Sequence, residues 1–161
     1  MKLTIYLFVL ILLSMFSQAQ KAWVNKSDWG DMRVVDIDCN GKEGCIAITK
    51  DEYQDEFWCR YSDDFGDTWE YISTKEFQGP ELEIKNVAII DKRNYFILTS
   101  DCKLFSWKYD YPYEIDVTLD GCISIDMLDS SMGCILSKTH LILTDDAWMT
   151  YREIVLDKPV E

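Results

Sequence analysis

Histidine, arginine and long apolar segments are all scarce in this sequence of 161 residues. The single histidine, His140, lies in an apolar run, which indicates a strand residue rather than a catalytic base. No two cysteines are separated by two residues, so the usual ligand spacing of a structural zinc site is absent. The serine-hydrolase elbow and the phosphate-binding glycine loop are absent as well. We therefore expect no metal ion and no cofactor.

The N-terminus has the layout of a secretory signal peptide. Lys2 supplies a positive charge, residues 3–16 form a short apolar run, and small residues follow up to Ala19. The apolar run is shorter than the roughly 20 residues that a membrane-spanning helix needs, so a retained anchor is the weaker alternative. We predict a signal peptide over residues 1–19 and a mature domain over residues 20–161, exported to the outside, the periplasm or the cell envelope, with no membrane insertion after cleavage.

The chain is strongly acidic. It has 29 Asp and Glu residues against 16 Lys and Arg residues, a formal net charge of −13. Nucleic acids and anionic membranes are bound mainly through Lys and Arg side chains that neutralise phosphate groups. Neither is an expected partner of this protein.

An even number of cysteines in an exported chain favours disulfide bonds. The six residues are Cys39, Cys45, Cys59, Cys102, Cys122 and Cys134. Cys39 and Cys45 flank a polar turn over residues 40–44, and a bridge across that turn is the best single prediction. A bridge between Cys59 and Cys45 is the rival pairing, and some of these thiols could instead be buried and reduced.

Helical patterns are rare, and short runs rich in β-branched and aromatic residues recur from residue 33 onward. Twelve strands are predicted, at 33–38, 45–49, 57–61, 69–72, 84–90, 95–99, 103–107, 113–117, 122–126, 133–137, 139–143 and 151–155. They fall into three similar sets of four, over residues 33–72, 83–117 and 122–156. The superposition places Cys45, Tyr95 and Cys134 at equivalent positions of the second strand of each set.

The sets recur at a spacing of roughly 40 residues, which is typical of β-propeller blades. The predicted fold is all-β, a partial propeller of about three blades, each a four-stranded antiparallel sheet.

One segment between two predicted strands has a distinctive turn pattern, Ser62-x-Asp64-x-Gly66-x-Thr68-Trp69. Short Ser and Asp side chains accept hydrogen bonds from nearby backbone N–H groups and so stabilise turns. Gly66 can adopt the positive φ that other residues resist, and Trp69 can pack its indole beneath the hairpin.

This segment resembles the Asp-box of bacterial neuraminidase repeats, which is found in sialidase-like, sortilin-like and photosystem assembly-factor-like propellers. The resemblance implies a structural hairpin at the rim of a blade, away from any catalytic centre. The third set has a degenerate copy at residues 144–151, with Trp148 at the position of the glycine. In the second set, residues 109–114 occupy the corresponding position, and the turn pattern is lost.

For a sialidase, the resemblance would imply three arginines that clamp the substrate carboxylate and an early Arg-Ile-Pro sequence. Only Arg33, Arg60, Arg93 and Arg152 are available, Arg-Ile-Pro is absent, and three blades are fewer than a sialidase has. The carboxylates are too numerous to single out a catalytic pair. We therefore predict that the chain is not an enzyme. The alternative is a glycoside hydrolase-like, sialidase-related protein or a fragment of one.

Aromatic residues indicate a binding function. Trp107, Tyr109, Tyr111 and Tyr113 surround Pro112 in the second set. Exposed aromatic side chains stack on sugar rings or anchor protein partners, whereas packing of alternate ones between the blades is the stronger alternative. The predicted function is a secreted interaction module that binds a protein or a glycan.

Two further expectations concern the assembled blades. Asp36, Asp38 and Asp126 lie on the first strands of the first and third sets, where they could line a channel and attract a cation. Three open blades also leave exposed edges, so a homo-oligomer that completes the ring, a completing partner or a truncated product all fit the sequence.

Overall fold

A computed structural model describes residues 29–41, 44–72, 83–108, 111–117 and 120–160. The predicted signal peptide lies outside these ranges. Asp31–Glu161 form one compact unit, and the unit Met1–Gly30 is represented only by its last two residues.

The described residues contain twelve strands, and each lies within about two residues of a strand predicted from the sequence. They are β1 (Arg33–Asn40), β2 (Gly44–Asp51), β3 (Glu56–Ser62), β4 (Glu70–Ile72), β5 (Ile84–Asp91), β6 (Asn94–Thr99), β7 (Leu104–Lys108), β8 (Tyr111–Ile115), β9 (Cys122–Met127), β10 (Gly133–Ser137), β11 (His140–Thr144) and β12 (Arg152–Val155).

The strands form three antiparallel sheets of four, each in sequence order. We call them blade 1 (β1–β4), blade 2 (β5–β8) and blade 3 (β9–β12). The prediction of an all-β fold built from three four-stranded sheets is confirmed. Within the described ranges no helix is long and apolar enough to cross a membrane.

The blades pack face to face, with blade 2 in the middle. Apolar side chains that alternate along the strands form one core between blades 1 and 2 and another between blades 2 and 3. The first core includes Ile46, Ile48, Tyr61, Ile89, Tyr95 and Trp107. The second includes Phe96, Leu98, Leu104, Ile125, Ile135 and Trp148.

The first strands of the three blades, β1, β5 and β9, are neighbours in space. Two β1 carboxylates bond to the backbone of β5: Asp36 Oδ2 accepts from the N–H of Val87 at 2.9 Å, and Asp38 Oδ2 from that of Ile89 at 2.7 Å. Because β1 and β5 belong to different sheets, these bonds set the position of blade 2 against blade 1.

Two disulfide bonds occur in the described part of the chain. Cys39–Cys45 closes the β1–β2 turn, at the place that the sequence predicts. Cys102–Cys122 connects the β6–β7 turn of blade 2 to the start of blade 3. Close to it, Lys85 Nζ donates a hydrogen bond to the carbonyl of Cys122 at 2.5 Å. Blades 2 and 3 are thus joined covalently as well as by packing.

The remaining two cysteines are free thiols. Cys59 is fully buried in the first core, and burial raises the pKa of its thiol to about 12. Cys134 is half-buried, and burial followed by the charge of Asp126 raises the pKa of its thiol. The rival pairing of Cys59 with Cys45 is therefore wrong.

The sequence superposition of blades 1 and 3 is wrong by one residue. In blade 1 the hairpin residue Ser62 pairs with Cys45, and in blade 3 the corresponding Thr144 pairs with Gly133. Cys134 therefore lies one position beyond the equivalent of Cys45. Gly133 has no side chain and contributes no hydrophobic signal, so the apolar pattern of this strand begins at the next residue, Cys134.

Candidate functional site

The segment Ser62–Trp69 forms the hairpin between β3 and β4, closed by a set of short hydrogen bonds. Asp64 Oδ1 accepts from the Thr68 N–H at 2.7 Å, and Asp64 Oδ2 from the Thr68 hydroxyl at 2.7 Å. Ser62 Oγ donates to Asp64 Oδ1 at 2.8 Å and accepts from the N–H of Gly66 at 2.7 Å. Gly66 has a φ of 92°, and its carbonyl accepts from Trp69 Nε1 at 3.1 Å.

These bonds lower the pKa of the Asp64 carboxyl to about 2. The largest contribution comes from the Thr68 backbone N–H, followed by its hydroxyl, and the Ser62 hydroxyl adds to both. Asp64 is therefore ionised at neutral pH, with its oxygens engaged inside the turn. This geometry suits a turn anchor and does not suit a proton donor.

The degenerate segment of blade 3 forms the same hairpin. Asp146 accepts from the Thr150 N–H at 2.8 Å and from its hydroxyl at 2.6 Å, and Thr144 Oγ1 accepts from the Trp148 N–H at 2.9 Å. Trp148 takes the place of the glycine with a φ of 68°. Its indole is buried between blades 2 and 3, where Nε1 lies 3.3 Å from the sulfur of Met127. A buried tryptophan thus replaces the glycine without loss of the hydrogen-bonding pattern.

The proposed binding aromatics do not form one surface. Trp107 is only 2% exposed and stacks on Tyr95 in the first core, with ring centroids 5.6 Å apart. The prediction that it contacts a ligand is corrected, because alternation along β7 turns it between the blades. Tyr113, on the outer strand β8, is 71% exposed. Tyr109 and the side chain of Tyr111 lie outside the described residues.

The expected acidic channel does not form a cation site. Asp36 and Asp38 already accept backbone hydrogen bonds from blade 2. Burial raises the pKa of Asp38, and the charges of Asp126 and Asp36 add to this. Across the described ranges there is no group of three or more His, Cys, Asp or Glu side chains that could hold a metal ion.

The four arginines are dispersed over the blades. Arg33 on β1 donates to Glu52 at 3.0 Å. Arg60, on β3, and Arg152, on β12, belong to the two outermost blades of the stack, and Arg93 lies in the β5–β6 turn. A clamp of three arginines on one carboxylate is not present among the described residues.

The turns that join the first two strands of each blade meet at one end of the stack. Between them lies a cleft of about 590 Å³, lined by Asn40, Tyr61, residues 90–93 and residues 128–130. Asn40 Nδ2 donates to the carbonyl of Ile90 at 3.2 Å and so ties the turns of blades 1 and 2 together. We call this the hairpin-end cleft. Its wall comes from all three blades.

Two basic side chains stand beside this cleft in an otherwise acidic chain. Lys92 forms an ion pair with Glu70 and lies 5.5 Å from the ring centre of Tyr61. Arg93 is exposed, and its guanidinium forms no ion pair with any described residue. Asp129 accepts from the backbone N–H groups of residues 132 and 131, which lower the pKa of its carboxyl.

The blade 3 side of the cleft also has exposed apolar side chains. Leu128 is 78% exposed, and Met132 is also exposed on the same turn. A second cleft of about 350 Å³ between blades 2 and 3 shares residues 90, 91 and 130 with the first and extends to Met149, which is 85% exposed. Sequence reasoning missed this site. The available signal was the Lys92-Arg93 pair in a turn of an acidic chain.

No protein-family model matches the sequence, and no curated protein sequence matches it. Among solved structures the chain is similar to one described as YCF48 bound to D1 peptide, with a TM-score of 0.59 and 12% identity over 79% of this chain and 42% of that one. It is also similar to YCF48 from Cyanidioschyzon merolae, with a TM-score of 0.57 and 12% identity over 80% of this chain and 38% of that one.

The YCF48 structures are β-propellers. The chain spans about two fifths of the length of these proteins. At this level of identity the similarity concerns the fold alone. The chain has a propeller-type fold made of three four-stranded blades.

Proposed function

We propose that this chain is a non-catalytic interaction module of the Asp-box propeller type, and that it binds a protein partner at the hairpin-end cleft. The observation that carries the proposal is the position of the cleft, where turns of all three blades place Arg93, which has no ion pair with a described residue, beside exposed apolar side chains. The similarity to a propeller solved with a bound peptide supports a peptide segment as the ligand.

The chemistry of the cleft favours a peptide that has a carboxylate next to apolar side chains. The planar guanidinium of Arg93 can bind a carboxylate through two parallel hydrogen bonds. Leu128, Met132 and Met149 offer apolar contacts, and methionine adapts to partners of different shape. Arg93 offers a peptide carboxylate an attractive contact in the cleft, although Asp91 and Asp129 also line it, and the acidic surface elsewhere on the chain repels such a peptide.

The absence of catalysis is part of the proposal. The hairpin carboxylates Asp64 and Asp146 are engaged within their turns, and the arginines are dispersed. A panel of sialosides and aryl glycosides should give no turnover. Turnover that disappears on replacement of one carboxylate would support the sialidase-related alternative. Of the two predicted binding aromatics whose side chains are described, Trp107 is buried and Tyr113 is exposed, so Tyr113 is the candidate for a glycan contact, and a glycan array would test it.

Export is likewise proposed. The N-terminal sequence of residues 1–19 has signal-peptide character, and disulfides such as Cys39–Cys45 and Cys102–Cys122 are typical of exported proteins. Mass spectrometry of the protein from its native cells should give a chain that begins at Gln20, in the medium or the envelope fraction. A chain that retains residues 1–19 in the cytosol would contradict this.

A phage-displayed library of random dodecapeptides, selected on the full mature chain, tests the binding proposal. We expect enriched peptides that combine an acidic residue with aliphatic or aromatic ones. Arg93→Glu and Leu128→Asp should each weaken their binding at least about tenfold, as measured by calorimetry.

The matched control is Lys103→Glu, the same charge change at an exposed site in the turn at the opposite end of blade 2. Its affinity should equal that of the unmodified chain. Failure to enrich any peptide, or equal effects of Arg93→Glu and Lys103→Glu, would overturn the proposal.

A further inference from the structure

Blade 3 has one face packed on blade 2 and another that points away from it. On the outward face, the register places one side chain from each strand in a single row, in the order Asp126, Cys134, Leu143 and Arg152. The row therefore begins with an acid on β9, continues through two apolar side chains and ends with a base on β12. Asp126 and Arg152 are exposed, and neither forms an ion pair with a described residue.

A second row lies beside the first on the same face. It runs through Ser124, Leu136, Leu141 and Ile154. Leu136 and Leu141 are only partly buried, and Ile154 is 44% exposed. The two rows together make an apolar surface with an acidic edge and a basic edge.

The equivalent row of blade 1 shows how such a face is used within this chain. It consists of Asp38, Ile46, Tyr61 and Glu70, matched to the blade 3 row strand by strand through the hairpin register. Every member contacts blade 2: Asp38 accepts a backbone N–H of β5, Ile46 and Tyr61 lie in the shared core, and Glu70 forms an ion pair with Lys92. The outward face of blade 3 thus has the layout of a face that docks onto another sheet.

The blade 1 row and the blade 3 row differ in charge at one position. Where blade 1 has Glu70, which pairs with a lysine of the neighbouring blade, blade 3 has Arg152. A sheet that docks on blade 3 must therefore supply a carboxylate opposite Arg152 and a positive or N–H donor group opposite Asp126. If blade 2 of another copy docked on blade 3 as blade 2 docks on blade 1, its Lys92 would face Arg152, and the two positive charges would repel each other.

We propose that the outward face of blade 3 binds the same face of a second copy of this chain. A two-fold axis parallel to the strands places β9 of one copy over β12 of the other. It also places each row directly opposite the same row of the second copy. Asp126 then faces Arg152 of the second copy, the reciprocal pair forms at the other edge, and Leu136 faces Leu141. Such a symmetric contact is compatible with the small angle between aligned, packed sheets.

Ring completion through blade 1 of a second copy is disfavoured by the chemistry of blade 1. Its side turned away from blade 2 includes Ala47 and Thr49, which are already fully buried, and the sulfur of Met32 lies 3.6 Å from Thr49 Oγ1. These side chains have no further surface to bury against blade 3. The proposed contact is also separate from the hairpin-end cleft and goes beyond the function proposed above.

The test uses two charge reversals, Asp126→Arg and Arg152→Asp, and the mass in solution measured by light scattering over a range of concentrations. The unmodified mature chain should form a dimer. Each single variant places like charges opposite each other at both edges, so its dimer dissociation constant should rise at least about tenfold. An equimolar mixture of the two variants restores both ion pairs, and it should form a heterodimer.

Glu153→Arg is the control, because it changes charge on the same strand but on the opposite side of the sheet. This variant should dimerise like the unmodified chain. In the unmodified chain, the rate of alkylation of Cys134 should fall as the dimer forms, because Cys134 lies in the proposed contact. A strictly monomeric unmodified chain, single variants that dimerise normally, or a mixture that remains monomeric would each overturn the proposal. Circular dichroism spectra of all variants separate loss of the contact from loss of the fold.

Discussion

Trp148 is the residue at which this chain departs most from the pattern of its own hairpins. A non-glycine residue with a positive φ costs on the order of 1–2 kcal/mol, whereas burial of a large aromatic side chain contributes more than that. The indole of Trp148 fills the second core, so burial outweighs the backbone strain. This explains why the hairpin of blade 3 forms without a glycine.

Trp148→Gly should lower the free energy of unfolding by about 3–5 kcal/mol, although it restores the glycine of the hairpin pattern, because a large core side chain is removed. Ala147→Gly is the matched control, since Ala147 also has a positive φ, of 58°. It should leave stability unchanged or raise it by up to about 1 kcal/mol. Urea denaturation measures both. A Trp148→Gly protein as stable as the unmodified chain would contradict the assignment of Trp148 to the core.

Asp64 should make stability depend on pH in the acid range. Its folded pKa, about 2, is below the ordinary value of 3.8, so the unfolded chain binds the proton more readily. The stabilisation is fully present above about pH 4 and is lost as the pH falls toward 2. In Asp64→Asn, the melting temperature at pH 7 should be lower, and its decline between pH 4 and pH 2 should be shallower.

The neighbouring exposed Asp63 takes part in none of the hairpin bonds, so Asp63→Asn should keep the acid-range decline of the unmodified chain. Thermal denaturation at intervals between pH 5 and pH 2 compares the three proteins. Equal slopes for Asp64→Asn and the unmodified chain would show that the hairpin hydrogen bonds do not set the pKa of Asp64.

At the scale of elements, the contact between blades depends on polar as well as apolar groups. Asp38 on β1 accepts the N–H of Ile89 on β5, across the boundary between two sheets. In Asp38→Ala this N–H loses its acceptor, and the free energy of unfolding should fall by about 1–3 kcal/mol. Asp126 occupies the equivalent position of blade 3 and bonds to no described residue, so Asp126→Ala should change stability by less than about 0.5 kcal/mol in dilute solution.

Urea denaturation at low protein concentration measures this difference. Equal losses for Asp38→Ala and Asp126→Ala would mean that the bond between β1 and β5 contributes nothing to the docking of blade 2.

Strand positions could be predicted from the sequence because alternation and turn residues are local signals. The register of the strands and the side of the sheet on which each side chain lies are harder to predict from the sequence, since both depend on which strands and sheets meet. The side chain of Gly133 is a hydrogen atom, so a superposition based on apolar residues places Cys134, one residue too far along, at the position of Cys45. Trp107 lies in an aromatic cluster that looks exposed in the sequence, yet the pairing of β7 turns it into the core.

At the scale of the whole compact unit Asp31–Glu161, the described residues form three packed sheets with two internal contacts and two outer faces. The hairpin-end cleft exists only because three turns, far apart in the sequence, meet at one end of this stack. The adjacent Lys92 and Arg93 are the one local signal of the cleft, and by themselves they do not show that the three turns meet. The hairpin residues Ser62–Trp69 were predictable as a turn, and their hydrogen bonds give them a structural role.

Hydrogen exchange of the full mature chain, with and without a peptide selected on it, tests the proposed function most directly. Bound peptide should slow exchange in the turns around residues 40, 90–93 and 128–132 and leave the β6–β7 turn at the other end of blade 2 unchanged. Protection confined to strand edges or to the β6–β7 turn would contradict the assignment of the hairpin-end cleft as the binding site.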